Sequence, residues 1–329
     1  MVYVDEISRP VLKMTRTENN CETRIFSDRY MQCLEMMSEI PVATRRPVSM
    51  ARVTQIKNGV ACEVSDDLVT EEPLEIRVAG LDGEAVTLTV TMRTPGHDFE
   101  LAAGLLFSEG VITSNENIAS IRYCQRSKEV LQQYNVVTVD LRKTFDAEIF
   151  RRNLTTSSSC GVCGTTSIEH LARRCNPLGI GTDIDLSALE SLGEQLRSNQ
   201  KIFEKTGGLH AAGLFSAITG ELLSIREDIG RHNALDKLVG NGLLSKEIPF
   251  DDTVLMLSGR VSFEMVQKAA MAGIPIVAAV SAPSSLAVST AQALGMTLIG
   301  FVRGRDCTVY THPERVGLSP GDGKRSGAL

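Results

Sequence analysis

Two thiols carry the most specific chemistry in the chain. Within Thr155–Glu169, Cys160 and Cys163 stand at Cys-x-x-Cys spacing in a run of serine, threonine and glycine. Thr166 and Glu169 have the Thr-x-x-Glu form of a capping box, in which the hydroxyl accepts from an early backbone N–H and the carboxylate reaches back. That spacing predicts a helix starting within a few residues of Cys163. A sulfur at a helix N-terminus faces unsatisfied N–H groups and the positive end of the dipole, both of which favour the thiolate. The small neighbours give no bulk to bury the sulfurs, so the expectation is an accessible, mobile loop with reactive thiols. The helix argument alone favours Cys163.

Other readings of the pair are weighed on spacing. A structural zinc site would add His170 and Cys175, giving Cys-x₂-Cys-x₆-His-x₄-Cys. On a helix, however, a histidine and a cysteine five residues apart point in different directions. A thioredoxin-like pair lacks its tryptophan context, since the chain has none. A zinc deaminase needs His-x-Glu and Pro-Cys-x-x-Cys. Here His97 and Glu100 are one residue too far apart, and Ser159 stands in place of the proline. Nucleophilic sulfur chemistry, in which a thiolate takes sulfane sulfur as a persulfide and passes it on, remains.

The elements that must position such chemistry can be read from periodicity. Leu74–Val78 and Val86–Met92 alternate around Asp82-Gly83, a hairpin signal. Asp98 is placed to cap a helix with Phe99, Ala102, Ala103 and Leu106 on its apolar face, and Gly110 to close it. Strands are expected at Ser120–Tyr123 and Val136–Leu141. Farther on, Gly207–Phe215 and Glu221–Arg226 read as two strands joined by Thr219-Gly220, followed by a helix through Ala234, Leu235, Leu238 and Val239. Strands at Thr253–Leu257, Ile274–Val280 and Thr297–Val302 alternate with helices Ser262–Ala272 and Leu286–Leu294. This βαβαβ rhythm implies an α/β fold with a parallel sheet and right-handed crossovers. The organisation expected is an extension over 1–46, a small α+β domain over 47–154, an α/β domain over 155–316 and a disordered tail over 317–329.

In open α/β sheets, ligands bind at the carboxyl ends of the strands, beside helix N-termini that favour anions. Those ends carry Arg226, Ser258-Gly259-Arg260, Ser281 and Arg303-Gly304-Arg305. Hydroxyls, glycines and guanidiniums converging there suit a phosphate-bearing or nucleotide-like ligand. Taken singly, each arginine reads equally well as a solvated surface residue. His210 and His232 fall in glycine-rich turns near the same edge, whereas His97 belongs to a helix-start turn and His312 follows the last strand. No Walker A loop is present, because Gly323-Lys324 is followed by Arg325.

Length and composition bound the rest. At 329 residues, with 43% hydrophobic and 22% charged residues, the chain is of ordinary globular type and large enough for about two domains. A net charge of −6 argues against nucleic acid as a partner. The run Ile274–Val280 is too short to span a bilayer, and the first residues lack the apolar core of a signal peptide. Eight cysteines without a secretory signal fit a reducing, cytoplasmic setting.

The segments Met92–Gly104, Cys160–Gly164, Glu227–Lys237, Ser258–Lys268 and Val309–Pro313 resemble, in order, the motifs of the FdhD family, accessory proteins of formate dehydrogenase. The resemblance runs from about Pro73 to Pro313. It implies a cytidine-deaminase-like second domain without the deaminase zinc ligands, a homodimer, and no resident metal. It also implies a sulfurtransferase that accepts sulfur from a cysteine desulfurase and passes it to the molybdenum (or tungsten) bis-pyranopterin guanine dinucleotide cofactor, Mo-bis(molybdopterin guanine dinucleotide), as cargo for the formate dehydrogenase catalytic subunit. Carried over by position, Cys160 holds the persulfide and Cys163 assists, in conflict with the helix-dipole argument. Phe301, Val302, Arg303, Gly304, Arg305 and Asp306 contact the cofactor. Ser258, Arg260, His210, Arg231 and His232 join them from the strand-edge reading and the family motifs. A cofactor-binding chaperone with idle cysteines and a zinc-stabilised interaction module are the competing functions.

Overall fold

The computed structural model describes residues 46–81, 83–124, 134–145, 178 and 183–317. The extension before residue 46, Asp82, Cys160 and Cys163, the capping box at Thr166 and Glu169, the alternative zinc ligands His170 and Cys175, and the tail from residue 318 lie outside the described residues.

The first strands, β1 (Val48–Lys57) and β2 (Val60–Val69), pair over their full length as a two-stranded ribbon. Asn58 and Gly59 turn the chain with φ of 50° and 79°. Positive φ at both central residues is what a type I′ hairpin requires, and Asn-Gly is its usual sequence. Sequence reading passed over this ribbon although its turn signal was present.

Next come β3 (Glu72–Ala79) and β4 (Val86–Arg93), the expected hairpin, then α1 (Asp98–Ser108), β5 (Ile118–Tyr123) and β6 (Val136–Leu141). They form a four-stranded sheet in the order β4-β3-β6-β5, with β3 and β6 parallel. Leu74, Ile76, Val78, Val137 and Val139 alternate onto one face and join Leu101, Ala102 and Leu106 of α1 in a single core. Gly110 closes α1 at φ 68°, as expected. Its start differs from expectation. The N-cap is His97 in the left-handed region, with no side-chain cap, and Asp98 is the first helical residue. The carboxylate of Asp98 is buried and held by Arg93 at 3.0 and 3.1 Å and by the Tyr123 hydroxyl at 3.1 Å. A buried guanidinium needs that anion more than the helix end does.

The remaining elements are α2 (Leu186–Asn199), α3 (Lys201–Thr206), β7 (His210–Ser216), β8 (Leu222–Asp228), α4 (Arg231–Ser245), β9 (Thr253–Leu257), α5 (Phe263–Met271), β10 (Ile276–Ala279), α6 (Ser285–Leu294), β11 (Thr297–Arg303) and β12 (Asp306–Thr311). The sheet order is β12-β11-β10-β9-β7-β8. The central β9, β10 and β11 are parallel, as the βαβαβ rhythm predicts, and β7 and β12 flank them antiparallel. The result is a mixed α/β fold. Alternation along β9 sends Leu255 and Leu257 to the face carrying Leu235, Val266 and Ala287 from α4, α5 and α6. Val254 and Met256 go to the opposite face, against Leu189, Leu192 and Leu196 of α2.

Helices α1 and α4 cross almost backbone to backbone. A Cβ on Gly104 would lie 1.8 Å from the Asp236 carbonyl oxygen, and one on Gly240 would lie 1.8 Å from that of Glu100. Only glycine at both positions permits this approach. Beside the crossing, Arg226 Nη2 donates to Glu100 at 2.9 Å, and His97 lies 3.1 Å from the same carboxylate. Burial raises the Glu100 carboxyl, but the hydrogen bonds from Arg226 and His97 outweigh it and bring it from its ordinary 4.5 to about 2. A depressed carboxyl stabilises the fold above its unfolded value, and that stability is lost as pH falls through the folded one. Between about pH 4.5 and 2, Glu100→Gln should therefore flatten the acid limb of the melting temperature against pH. An unchanged limb would assign acid unfolding to other groups.

Candidate functional site

The parallel strands end on a common edge, beside which α2 packs on one face of the sheet. Between them is a cavity of about 620 Å³. Its floor comes from the strand ends, with Ser258, Val280, Val302, Arg303 and Gly304. Its wall comes from Glu190, Glu194 and Arg197 of α2, Gln200 after it, and Phe203 of α3. Leu209 and His210 complete it as the chain enters β7.

His210 pairs with Asp228 across the β7–β8 ladder, and the next backbone N–H, that of Ala211, donates to Ser258 Oγ at 2.8 Å. Ser258 returns a backbone bond to Ala211 at 3.1 Å, so His210 and Ser258 are held side by side. Gly259 leaves room above them, since a Cβ there would sit 3.2 Å from His210 Nδ1 and 3.9 Å from Arg231 Cδ. Burial pushes the His210 imidazole down, and the charges of Arg231, His232 and Arg260 push it further, so the neutral ring is favoured. Arg231 and His232 open α4, where helix N–H groups already favour anions. His232 Nε2 lies 2.8 Å from Glu264, and this partner, against burial, lowers the glutamate.

That corner is fixed by a buried polar knot. Asp228 accepts from the backbone N–H of Thr94 at 3.1 Å and of Gly230 at 2.8 Å, and pairs with Lys237 Nζ at 2.6 Å. Lys237 also donates to the Thr94 carbonyl at 2.8 Å. Asn233 Nδ2 donates to the Met92 carbonyl at 2.7 Å. Glu227 accepts from the backbone N–H groups of Ile202 and Phe203 and so anchors α3, part of the cavity wall.

At the far corner, the β11–β12 hairpin turns through Gly304 at φ 55°, with Arg303 opposite Asp306. A ladder irregularity between Gly300 and Arg303 contains Phe301, which has φ 54° and is 41% exposed. A left-handed phenylalanine is a strained conformation of the kind retained near functional sites. Exposed Arg305 is paired with Glu190 of the cavity wall at 3.1 Å.

The structure thus brings His210, Ser258, Val302, Arg303 and Gly304 onto one cavity, with Arg231, His232 and Arg260 clustered around His210. Phe301, Arg305 and Asp306 flank it without lining it. Val302 is buried, so what it offers a ligand is backbone. Arg226, expected at the anion edge, is committed to Glu100 instead. Glu190, Glu194, Arg197, Gln200 and Phe203 were missed, because α2 and α3 were not read, although Leu189, Leu192 and Leu196 carry a helical apolar stripe. Among the described residues no group of three or more histidine, cysteine or acidic side chains is placed to hold a metal ion. No described helix is long and apolar enough to cross a membrane.

Residues 69–317, from the end of β2 past the last strand, match the FdhD/NarQ family. The chain belongs to the FdhD/NarQ family. Among FdhD/NarQ relatives, a protein of Mycolicibacterium paratuberculosis named sulfur carrier protein FdhD is 48% identical over 82% of this chain and 98% of its own length. The sulfur carrier protein FdhD of Sulfurisphaera tokodaii is 42% identical over 82% of this chain and 99% of its own. A crystal structure from Desulfotalea psychrophila, described as a formate dehydrogenase accessory protein, superposes with a TM-score of 0.63 at 25% identity, covering 84% of this chain and all of that one. The residues singled out in the sequence divide here into two groups. Arg93, Thr94, Asp98, Asp228, Asn233 and Lys237 are buried and hold the scaffold, whereas His210, Ser258 and Arg303 face the cavity.

Proposed function

We propose that this chain is a sulfur carrier for formate dehydrogenase, taking sulfane sulfur onto Cys160 and delivering it to a guanine-dinucleotide molybdenum cofactor bound at the strand edge. The observation that carries this reading is the cavity itself. It is apolar on Leu196, Leu209 and Val280 and cationic at Arg197 and Arg303, it abuts the His210–Arg231–Arg260 cluster, and it belongs to a chain whose relatives are named sulfur carriers. Guanidiniums with free backbone N–H groups bind diphosphates, and an apolar slot takes a ring.

In the first step the Cys160 thiolate attacks the terminal sulfur of a desulfurase persulfide. The donor S–S bond breaks, the donor leaves as a thiolate, and Cys160 carries the persulfide. In the second step Cys163 assists by attacking the Cys160 sulfur. The terminal sulfur departs as hydrosulfide toward the bound cargo, and a Cys160–Cys163 disulfide is left for an external thiol to reduce. Arg303 and the His210 cluster hold the cargo's phosphates while the sulfur arrives. The acting species is a homodimer in the cytoplasm, supplied by a cysteine desulfurase and serving the formate dehydrogenase catalytic subunit.

Coexpression of the Cys160→Ala variant with a formate dehydrogenase should give enzyme with cofactor but at least about 100-fold less activity, the loss expected when a nucleophile is removed. Full activity from a Cys160→Ala/Cys163→Ala double variant would favour a cofactor-binding chaperone instead.

A further inference from the structure

A second cavity, of about 960 Å³, lies at the four-stranded sheet, around its edge strand β5, and shares no lining residue with the first. Along β3, β6 and β5 the residues between the core positions turn to the outer face of that sheet. Arg77, Thr138 and Arg122 pair across the three strands in one row, so a hydroxyl stands between two guanidiniums. All three line the cavity. Cys124, two residues past Arg122, continues the ladder through its backbone N–H, which donates to the Val136 carbonyl at 2.9 Å, and it lines the cavity too. Phe99 and Tyr123, with ring centroids 4.8 Å apart, supply an aromatic wall.

Each guanidinium is held by a carboxylate and still has donors to spare. Arg77 gives Nε and Nη2 to Glu75 at 2.8 and 2.9 Å, and Arg122 gives the same two nitrogens to Asp140 at 3.0 and 2.9 Å. Among the described residues neither Nη1 is bonded. Glu75 and Asp140 are absent from the cavity lining. Thr138 is 2% exposed, and its hydroxyl makes no hydrogen bond among the described residues. A buried hydroxyl between two cations, turned into a cavity, suits an anionic oxygen.

The thiol sits inside this frame. The hydrogen bond to Glu75 raises the Arg77 guanidinium, against burial, and the charge of Cys124 adds to the rise, which puts the sulfur within electrostatic reach of the arginine. Reactive cysteines are found beside cationic groups, because the thiolate is the form that attacks disulfides. Cys62 is exposed on the β1–β2 ribbon, and burial, with Asp306, pushes the Cys307 thiol up.

We propose that Cys124 is a modification site for an acidic low-molecular-weight disulfide of the glutathione type, whose carboxylates are held by Arg77, Thr138 and Arg122. The Cys124 thiolate attacks one sulfur of the disulfide. The small-molecule S–S bond breaks, one half leaves as a thiolate, and the other stays on Cys124 as a mixed disulfide. The protein sulfur is oxidised, the departing half is reduced, and the thiol proton goes to solvent. A second small thiol reverses the modification by attack on the new S–S bond. The site does not depend on the cargo reading of the first cavity.

Brief exposure of the full chain to glutathione disulfide, read by peptide-resolved mass spectrometry, tests the assignment, with cystamine as the cationic counterpart. Cys124 should gain the glutathionyl group about tenfold faster than Cys62, a preference of the size that charge complementarity supplies, and should lose that preference with cystamine. Arg122→Gln, at an exposed position, and Thr138→Val should each slow the glutathione reaction at Cys124 about fivefold, the worth of one surface charge or one hydrogen bond, and neither should slow the cystamine reaction. Equal glutathionylation rates at Cys124 and Cys62, or the same preference with cystamine, would overturn the proposal. Unchanged glutathionylation of Cys124 in both variants would overturn it as well.

Discussion

Gly240→Ala should cost the protein at least about 3 kcal/mol, the upper range for overpacking, out of a total stability of about 5–15 kcal/mol. The added methyl would sit 1.8 Å from the Glu100 carbonyl oxygen and 2.8 Å from the Gly104 nitrogen. Both are backbone atoms of the opposing helix, so no rotamer change relieves the overlap, and α1 and α4 must separate. Separation opens the shared core in which Leu101 and Leu106 meet Leu235 and Val239. Gly193→Ala in α2 is the contrast. Its methyl would meet Met256 Cε at an ordinary 3.6 Å, and alanine gains about 1 kcal/mol of helix propensity over glycine. Urea denaturation of the two variants should give shifts of opposite sign, and a Gly240→Ala midpoint within experimental error of the wild type would show that the helices cross with room for a methyl group.

Asp228→Ala is the second large effect. Asp228 is wholly buried, and its removal leaves the Lys237 ammonium, 1% exposed, with only the Thr94 carbonyl. Breaking one side of a buried pair costs about 3–5 kcal/mol, because a charge is stranded rather than because the pair itself is strong. Adding Lys237→Met to Asp228→Ala should therefore recover much of the loss, a non-additivity that chemical denaturation of the three variants measures. If the double variant were as unstable as the sum of the singles, the backbone bonds from Asp228 to Thr94 and Gly230 would outweigh the ion pair. The same variant should also loosen the start of α4, where Arg231 and His232 stand.

Much of this architecture follows patterns visible in the chain. The alternation in β3 and β4, the strand–turn–helix rhythm from Thr253 to Arg303 and the glycine after α1 each express a local rule, and each holds. The edge where Ser258, Arg303 and Gly304 meet was legible for the same reason, since strand ends of a parallel sheet share one side. The opposite wall was not, because Gln200 and Phe203 reach the cavity only through the packing of α2 on the sheet, a tertiary event. Charged motif residues were the harder case. Arg226 and Arg303 look alike in sequence, and only the fold shows that Glu100 occupies the first while the second faces the cavity. Asp98 fits a capping role by composition, and burial beside Arg93 overrides it.

The β1–β2 ribbon has a bearing on solubility. Beyond its base the ribbon is largely exposed, with Ile56 70% and Val60 63% accessible near the tip. Among the described residues neither margin pairs with another strand, and such edges are of the kind that recruit foreign strands into aggregates. Arg52, Lys57, Glu63, Asp66 and Asp67 are spaced along both strands. They act as gatekeepers, setting a desolvation toll on any strand that tries to extend the ribbon sideways.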